Sequence, residues 1–265
     1  MHLTHIKLKP TKKINKDFDM LEAVEGIELP EKSKLIAKDY IKTKKLSDDI
    51  GYDLAIEFDD SIIFGFDILH NGKRLTLPEL NPALIFYSNA IMSHRNLIRS
   101  REILFEQSPT SIKFLKPIDP KIFGTFFQFA TNCIINLQAT VESFVNYQIP
   151  NDYQYIDKNG EKFNPSIFHK LDKVLPEIKK TKIKKRDTFR VRKIIELRNE
   201  IIHLTPSNEI TNTQYKSLYR KILKFDFSNS ILAVKKLINF YEPNLIEECA
   251  CGKEYFYDLS VINKK

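Results

Sequence analysis

Glycine is scarce in this chain, seven in 265 residues, and no stretch spaces them as a loop that cradles phosphate with backbone N–H groups. Nucleotide-binding loops of that kind are excluded. Cysteine is scarcer still. There are three, of which only Cys249 and Cys251 are close in sequence, too few for a disulfide framework and short of the four ligands of a structural zinc site. They read as reduced thiols in a cytoplasmic protein. The basic N-terminal stretch lacks the apolar run of a secretory signal, so no targeting is expected. No pair of histidines has a metal-ligand spacing backed by carboxylates, and neither a metal nor a cofactor is called for.

A charge-free run is present, from Ile122 to Val141, long enough to suggest a membrane span. Thr125, Gln128, Asn132 and Asn136 recur along it at helical spacing, however, and a polar stripe suits a long helix packed in a soluble bundle. No membrane association is expected. The net charge is +8, and much of the excess is local: Lys179 to Lys193 holds nine basic residues against the single acid Asp187. Such a run is a footprint for a polyanion, or else a solvated loop.

Two textures follow one another. Over residues 1–80, Ile6 and Leu8 alternate with lysines, and a short helix is expected over 31–46 after Pro30. Leu54, Ile56 and Phe58 alternate, as do Ile62, Phe64, Phe66 and Ile68 after an Asp59-Asp60 turn. Asn71-Gly72 predicts a tight hairpin, because both positions tolerate positive φ, with a return strand over 73–77. This part reads as a small α+β element containing a β-meander. Residues 81–243 read as helices. Asn81-Pro82 starts one that runs to about Gln107, and Asp119-Pro120 starts one that ends before Pro150. Asn164-Pro165 starts a third reaching about Val174. Another opens near Thr211 to Thr213, with Tyr215, Leu218, Tyr219 and Ile222 on its inner face, and a last one opens at Ser228 or Asn229 and ends before Pro243. The tail, 244–265, is ambiguous, with a strand suggested over 254–259. The fold class is therefore mainly α.

Between these helices lies the stretch of most interest, Asp187 to Pro206. Asp187 or Thr188 can cap a helix there, and Pro206 forbids its continuation. At 100° per residue Val191, Ile194, Ile195 and Ile202 share an apolar stripe with Arg198 in its middle. A guanidinium on such a stripe needs a carboxylate, a phosphate or a wet cleft, because an unpaired buried charge is costly. Glu142, at the polar edge of an otherwise apolar helix, is the expected carboxylate partner. If that pair is purely structural, Arg198 carries no chemistry. Asn199 follows it directly, and His203 lies five residues on.

The string Arg198, Asn199, His203 within a run of helices resembles the motif of the HEPN superfamily, small α-helical domains whose nuclease members carry Arg, a polar residue and a further His. The segment from Leu137 to Asn146, in which Glu142 and Asn146 follow small residues, is similar to the preceding helix of many such domains. The resemblance covers about 120–240, under half of the chain. It implies a HEPN-like helical bundle that dimerises with two motifs facing one cleft and cleaves RNA without metal. Arg198, Asn199 and His203 would be catalytic and Glu142 supporting. The basic run, through Lys182, Lys184, Lys185, Arg186, Arg190 and Arg192, would guide RNA to them. It also implies toxin or phage-defence roles, with an antitoxin or defence-system protein as partner. An inactive RNA- or nucleotide-binding dimerisation module and a helical scaffold for a protein partner are the alternatives. Geometry fits the motif only in part, since on an ideal helix Arg198 and His203 stand about 140° apart in azimuth and ~7.5 Å apart in rise. His94, among Arg95, Asn96 and Arg99, reads as part of a solvated helix face, and His169 as a surface residue beside the basic run.

Overall fold

A computed structural model describes residues 4–14, 54–58, 61–109, 119–156, 159–206 and 212–250. The helix expected over 31–46, the Asp59-Asp60 turn, Thr211 and the strand expected over 254–259 lie outside them. The chain divides into two compact units, Leu8–Asn81 and Pro82 onward, and the segment preceding Leu8 belongs with the second.

The first unit is an antiparallel sheet built on one long strand. β1 (Lys13–Ile14), β2 (Leu54–Phe58) and β4 (Lys73–Pro78) all pair with β3 (Ser61–His70). Gly65 pairs with Leu54 of β2 and with Pro78 of β4, so those two strands occupy opposite edges of β3. β1 faces Ile62 and Ile63, which β2 also pairs, and so lies on the edge that β4 takes up further along. The Asn71-Gly72 turn adopts φ of 50° and 72°, the doubly positive pair that matches the twist of a tight hairpin. Gly65 is required for a different reason: a Cβ there would stand 2.7 Å from the Leu77 carbonyl oxygen. The alternating apolar set is divided in an unexpected way. Ile63, Gly65 and Asp67 are buried, while Phe66, Leu75 and Leu77, which point to the opposite face, are exposed. Asp67 is buried on an ion pair with Arg74.

The second unit is helical. α1 (Pro82–Gln107) and α2 (Pro120–Gln148) pack along each other, burying Leu84, Tyr87 and Leu97 on one and Phe126, Ile134 and Leu137 on the other. Each such side chain contributes roughly 1.5–3 kcal/mol on leaving water. The Asp119 carboxylate caps α2 by accepting from the Lys121 N–H at 2.9 Å, and Pro150 follows its end. Thr125, Gln128 and Asn132 are exposed, and no helix among the described residues is long and apolar enough to cross a membrane.

α3 (Ile167–His169) is capped by Ser166, one residue after the expected Pro165, because the Ser166 hydroxyl accepts from the His169 N–H. It does not stop at Val174. It passes through a π-helical turn (Lys170–Val174) into α4 (Leu175–Lys179), and Lys180 ends that helix at φ 51°. The wide turn stands just before Pro176, whose ring would strike the carbonyl four residues back in a regular helix. α5 (Lys185–Ile202), α6 (Lys216–Lys224) and α7 (Phe227–Tyr241) complete the bundle, with α5 packed against both α2 and α7. The Tyr87 hydroxyl donates to the Ile231 carbonyl at 3.2 Å and ties α1 to α7. Antiparallel pairing of Ile6 with Glu248 closes the unit.

Candidate functional site at the end of α5

α5 begins at Lys185, three residues earlier than a cap at Asp187 would place it: Lys184 is extended and makes no side-chain capping bond. Asp187 instead falls in the first turn, where a negative charge complements the helix dipole, and binds the Lys236 ammonium at 2.7 Å. That hydrogen bond holds the Asp187 carboxyl below its usual range. The buried stripe of α5 is Val191, Ile194, Ile195, Leu197 and Ile201. Ile202 is not part of it and is 47% exposed, since the helix runs out past the edge of the core at that point.

Arg198 is half-buried on this stripe, and its Nε is enclosed without a hydrogen-bond partner. Its Nη1 donates to Oδ1 of the exposed Asn199 at 3.2 Å. Glu142 is not its partner. The Glu142 carboxylate takes the Gln138 amide one turn back on α2 at 2.5 Å, and no ion pair joins it to Arg198 among the described residues. The helix arrangement accounts for this. Asn146, near the end of α2, accepts from Lys170 at 2.8 Å, and Asp172 in the same π turn pairs with Arg192. At the other end Phe123 and Phe127 of α2 meet Tyr219 of α6, and Lys221 of α6 meets Glu200 of α5. α2 and α5 are thus antiparallel, which sets Arg198 towards the start of α2 and Glu142 towards its end.

His203 is the residue that closes α5. Its N–H reaches the Asn199 carbonyl at 2.9 Å, its own carbonyl accepts from Thr205 Oγ1 at 3.1 Å, and its ring is exposed. Asn199 and His203 are therefore joined through the backbone and open to solvent, with Arg198 beside them on the more enclosed side.

The basic run is not uniform. Lys182, Lys184, Lys185 and Arg186 are exposed, and Arg186 only approaches Asp187 at 3.9 Å. Arg190 is paired with Asp226 at 2.9 Å, and Arg192 is held between Asp172 and the face of Phe168. Those two cations are partly neutralised. Asp226 also caps α7 through the Asn229 N–H; burial raises its pKa, but the Asn229 hydrogen bonds and Arg190 outweigh it and leave the carboxyl low.

One histidine differs from its sequence reading. His94 is buried, not solvated: its Nε2 lies 2.9 Å from Ser228 Oγ, and burial lowers its pKa. The polar neighbours that suggested a solvated face lie elsewhere around α1. His169 is half-buried edge-on to Phe163 at 5.1 Å. One feature escaped the sequence reading altogether: α6 and α5 enclose a cleft of about 410 Å³ lined by Arg190, Lys193, Lys221 and Lys224 with Glu196, Glu200 and Asp226. The basic spacing along α6 was the available signal.

Comparison with family models, curated proteins and solved structures returns no match, so the site rests on its own residues.

Proposed function

We propose that this protein is a metal-independent endoribonuclease of HEPN type, acting as a dimer, with Arg198, Asn199 and His203 as its catalytic residues. One observation carries the reading above the others: Arg198 is left without a carboxylate among the described residues, beside an exposed Asn199 and an exposed His203. An arginine kept only for packing would be expected to hold a carboxylate, and Glu142, the available candidate, is engaged by Gln138.

In this reading the guanidinium binds the scissile phosphate and the charge that builds on it, with Asn199 fixing the guanidinium plane. The 2′-oxygen attacks the adjacent phosphorus and the bond to the 5′-oxygen breaks, leaving a 2′,3′-cyclic phosphate and a 5′-hydroxyl. One imidazole removes the 2′ proton or supplies the proton to the departing 5′-oxygen. A dimer has two copies of His203, one for each task, and it also answers the angular separation of Arg198 from His203 on a single helix. Lys182, Lys184, Lys185 and Arg186 supply the approach path for the polyanion. The resemblance extends the proposal to a toxin or phage-defence role in the cytoplasm, held in check or triggered by a partner protein.

The test is cleavage of single-stranded RNA by the purified protein in EDTA, with analysis of the new ends and with size-exclusion and light-scattering measurement of the oligomer. Cleavage that leaves cyclic phosphate and is lost in both Arg198→Ala and His203→Ala is expected. Undiminished cleavage by both variants refutes the site. The second reading, an inactive RNA-binding module, is favoured if RNA is bound but never cut.

A further inference from the structure

Of the features outside the proposed catalytic site, the exposed apolar face of the sheet and the buried His94–Ser228 pair offer no indication of a ligand. The surface of α6 does. Its nine residues include Lys216, Arg220, Lys221 and Lys224 and no acid. Lys221 is paired with Glu200 at 2.8 Å, whereas Arg220 and Lys224 are exposed and make no ion pair among the described residues.

Three depressions meet along this helix. A shallow one of about 550 Å³ is lined by Lys216, Ser217, Arg220, Lys221 and Lys224. On one side Lys216 and Arg220 also border a second, of about 380 Å³, formed with Tyr215, Tyr219 and Leu223. On the other side Lys221 and Lys224 also border the cleft against α5 that holds Arg190 and Lys193. The shared residues make them one continuous path: an aromatic-walled groove, then a cationic strip, then a mixed-charge cleft.

The two tyrosines differ in their surroundings. Tyr219 is held edge-on between Phe123 at 5.2 Å and Phe127 at 5.4 Å and forms the fixed wall of the groove. Tyr215, at the helix start, has only a tilted contact with Tyr219 at 6.3 Å among these rings and is half-buried, so part of its ring borders the groove. An aromatic slot next to a row of cations matches a chain that alternates flat apolar bases with phosphates.

We infer that α6 is a binding track for single-stranded RNA, with a base seated in the Tyr215–Tyr219–Leu223 groove and the following phosphates on Arg220 and Lys224. Charge complementarity selects a polyanion, and the adjoining groove selects one that carries rings, since the Tyr215, Tyr219 and Leu223 side chains that wall it between Lys216 and Arg220 give nothing to a bare phosphate chain. The inference rests on the proposed reading only in naming RNA as the ligand; the track is separate from Arg198, Asn199 and His203.

The experiment uses the full chain and a short fluorescein-labelled 2′-O-methyl oligouridylate, which lacks the attacking hydroxyl and reports binding without cleavage. Inorganic polyphosphate is the base-free probe, and polyglutamate the competitor that mimics an acidic protein. The double variant Arg220→Glu/Lys224→Glu is expected to weaken both anionic probes by about tenfold or more near physiological salt and to flatten the salt dependence. Tyr215→Leu is expected to weaken the oligouridylate by about fivefold or more and leave polyphosphate unchanged, and Tyr215→Phe to bind as the unaltered protein does. The inference is overturned if the charge variant binds the oligouridylate normally, if Tyr215→Leu affects both probes alike or neither, or if polyglutamate displaces the oligouridylate as well as polyphosphate does. Cleavage of unmodified RNA separates this inference from the nuclease reading. Cutting with normal binding in every α6 variant leaves the nuclease and removes the track, and α6-dependent binding without cutting does the reverse.

Discussion

The Arg198 guanidinium is bonded to the side-chain oxygen of its neighbour Asn199 at 3.2 Å, while Glu142 accepts from Gln138 one turn away on its own helix, α2. Among the described residues the arginine is thus oriented but not neutralised. Replacing it with leucine removes an enclosed Nε that lacks a partner and keeps the apolar stripe, so stability should fall by no more than about 1 kcal/mol. Urea unfolding of Arg198→Leu measures this. A loss of about 3 kcal/mol or more, the signature of a broken buried ion pair, would contradict the arrangement.

The four exposed cations just before and within the first turn of α5 should not behave like the two paired ones. Lys184→Glu and Lys185→Glu are expected each to lower RNA affinity and reduce the salt slope by about one unit or more, whereas Arg190→Ala and Arg192→Ala change the slope less. Binding titrations over a range of salt concentrations decide the order.

His94 is buried against Ser228 and its pKa is depressed by burial. Its neutral form is the one the folded state accommodates. Stability is therefore full above the unfolded value of about 6.5 and declines as the pH falls from there towards the lower folded value, by at most about 1.4 kcal/mol per pH unit. His94→Gln should abolish this part of the pH dependence while other groups keep theirs, which denaturant titrations at several pH values will show.

Asp226 joins two tasks, capping α7 and pairing with Arg190. Asp226→Ala should cost roughly 1–2 kcal/mol, while Asp226→Asn, which can still cap, should cost under about 1 kcal/mol because the ion pair is largely exposed. Thermal unfolding of the two variants separates cap from charge.

Gly65→Ala places a methyl group 2.7 Å from the Leu77 carbonyl oxygen and 3.0 Å from Ile56 Cδ1. The expected loss is about 1–3 kcal/mol, as for other overpacked sites, and the carbonyl, being backbone, has little room to yield. Retained stability would mean that β4 shifts away from β3, which hydrogen exchange at the paired amides would reveal.

Features set by a few adjacent residues were legible in the sequence. Asn71-Gly72 specified the hairpin, and Asp119-Pro120 with Pro150 bounded α2, because cap, proline and turn preferences act over one or two residues. Features set across the fold were not. His94 looked solvated because its partner Ser228 is remote in sequence, and Glu142 looked available because nothing marked Gln138, one turn away, as its donor. The start of α5 was missed since Lys184 makes no side-chain cap. Of the candidate site, the neighbourhood of Arg198, Asn199 and His203 at the helix end was readable; which cations of the basic run pair with Asp172 and Asp226 required the positions of those two acids.

The π turn over Lys170–Val174 works as a brace. Within it Lys170 reaches Asn146 on α2 while Asp172, two residues on, reaches Arg192 on α5. A single deletion there would either resolve the turn to ordinary helical pitch and remove one of its five positions or, with the wide turn kept, rotate one flank by about 100°. The spacing between α2 and α5 is thereby keyed to the length of a five-residue turn, so this segment should tolerate changes of side chain far better than changes in residue number.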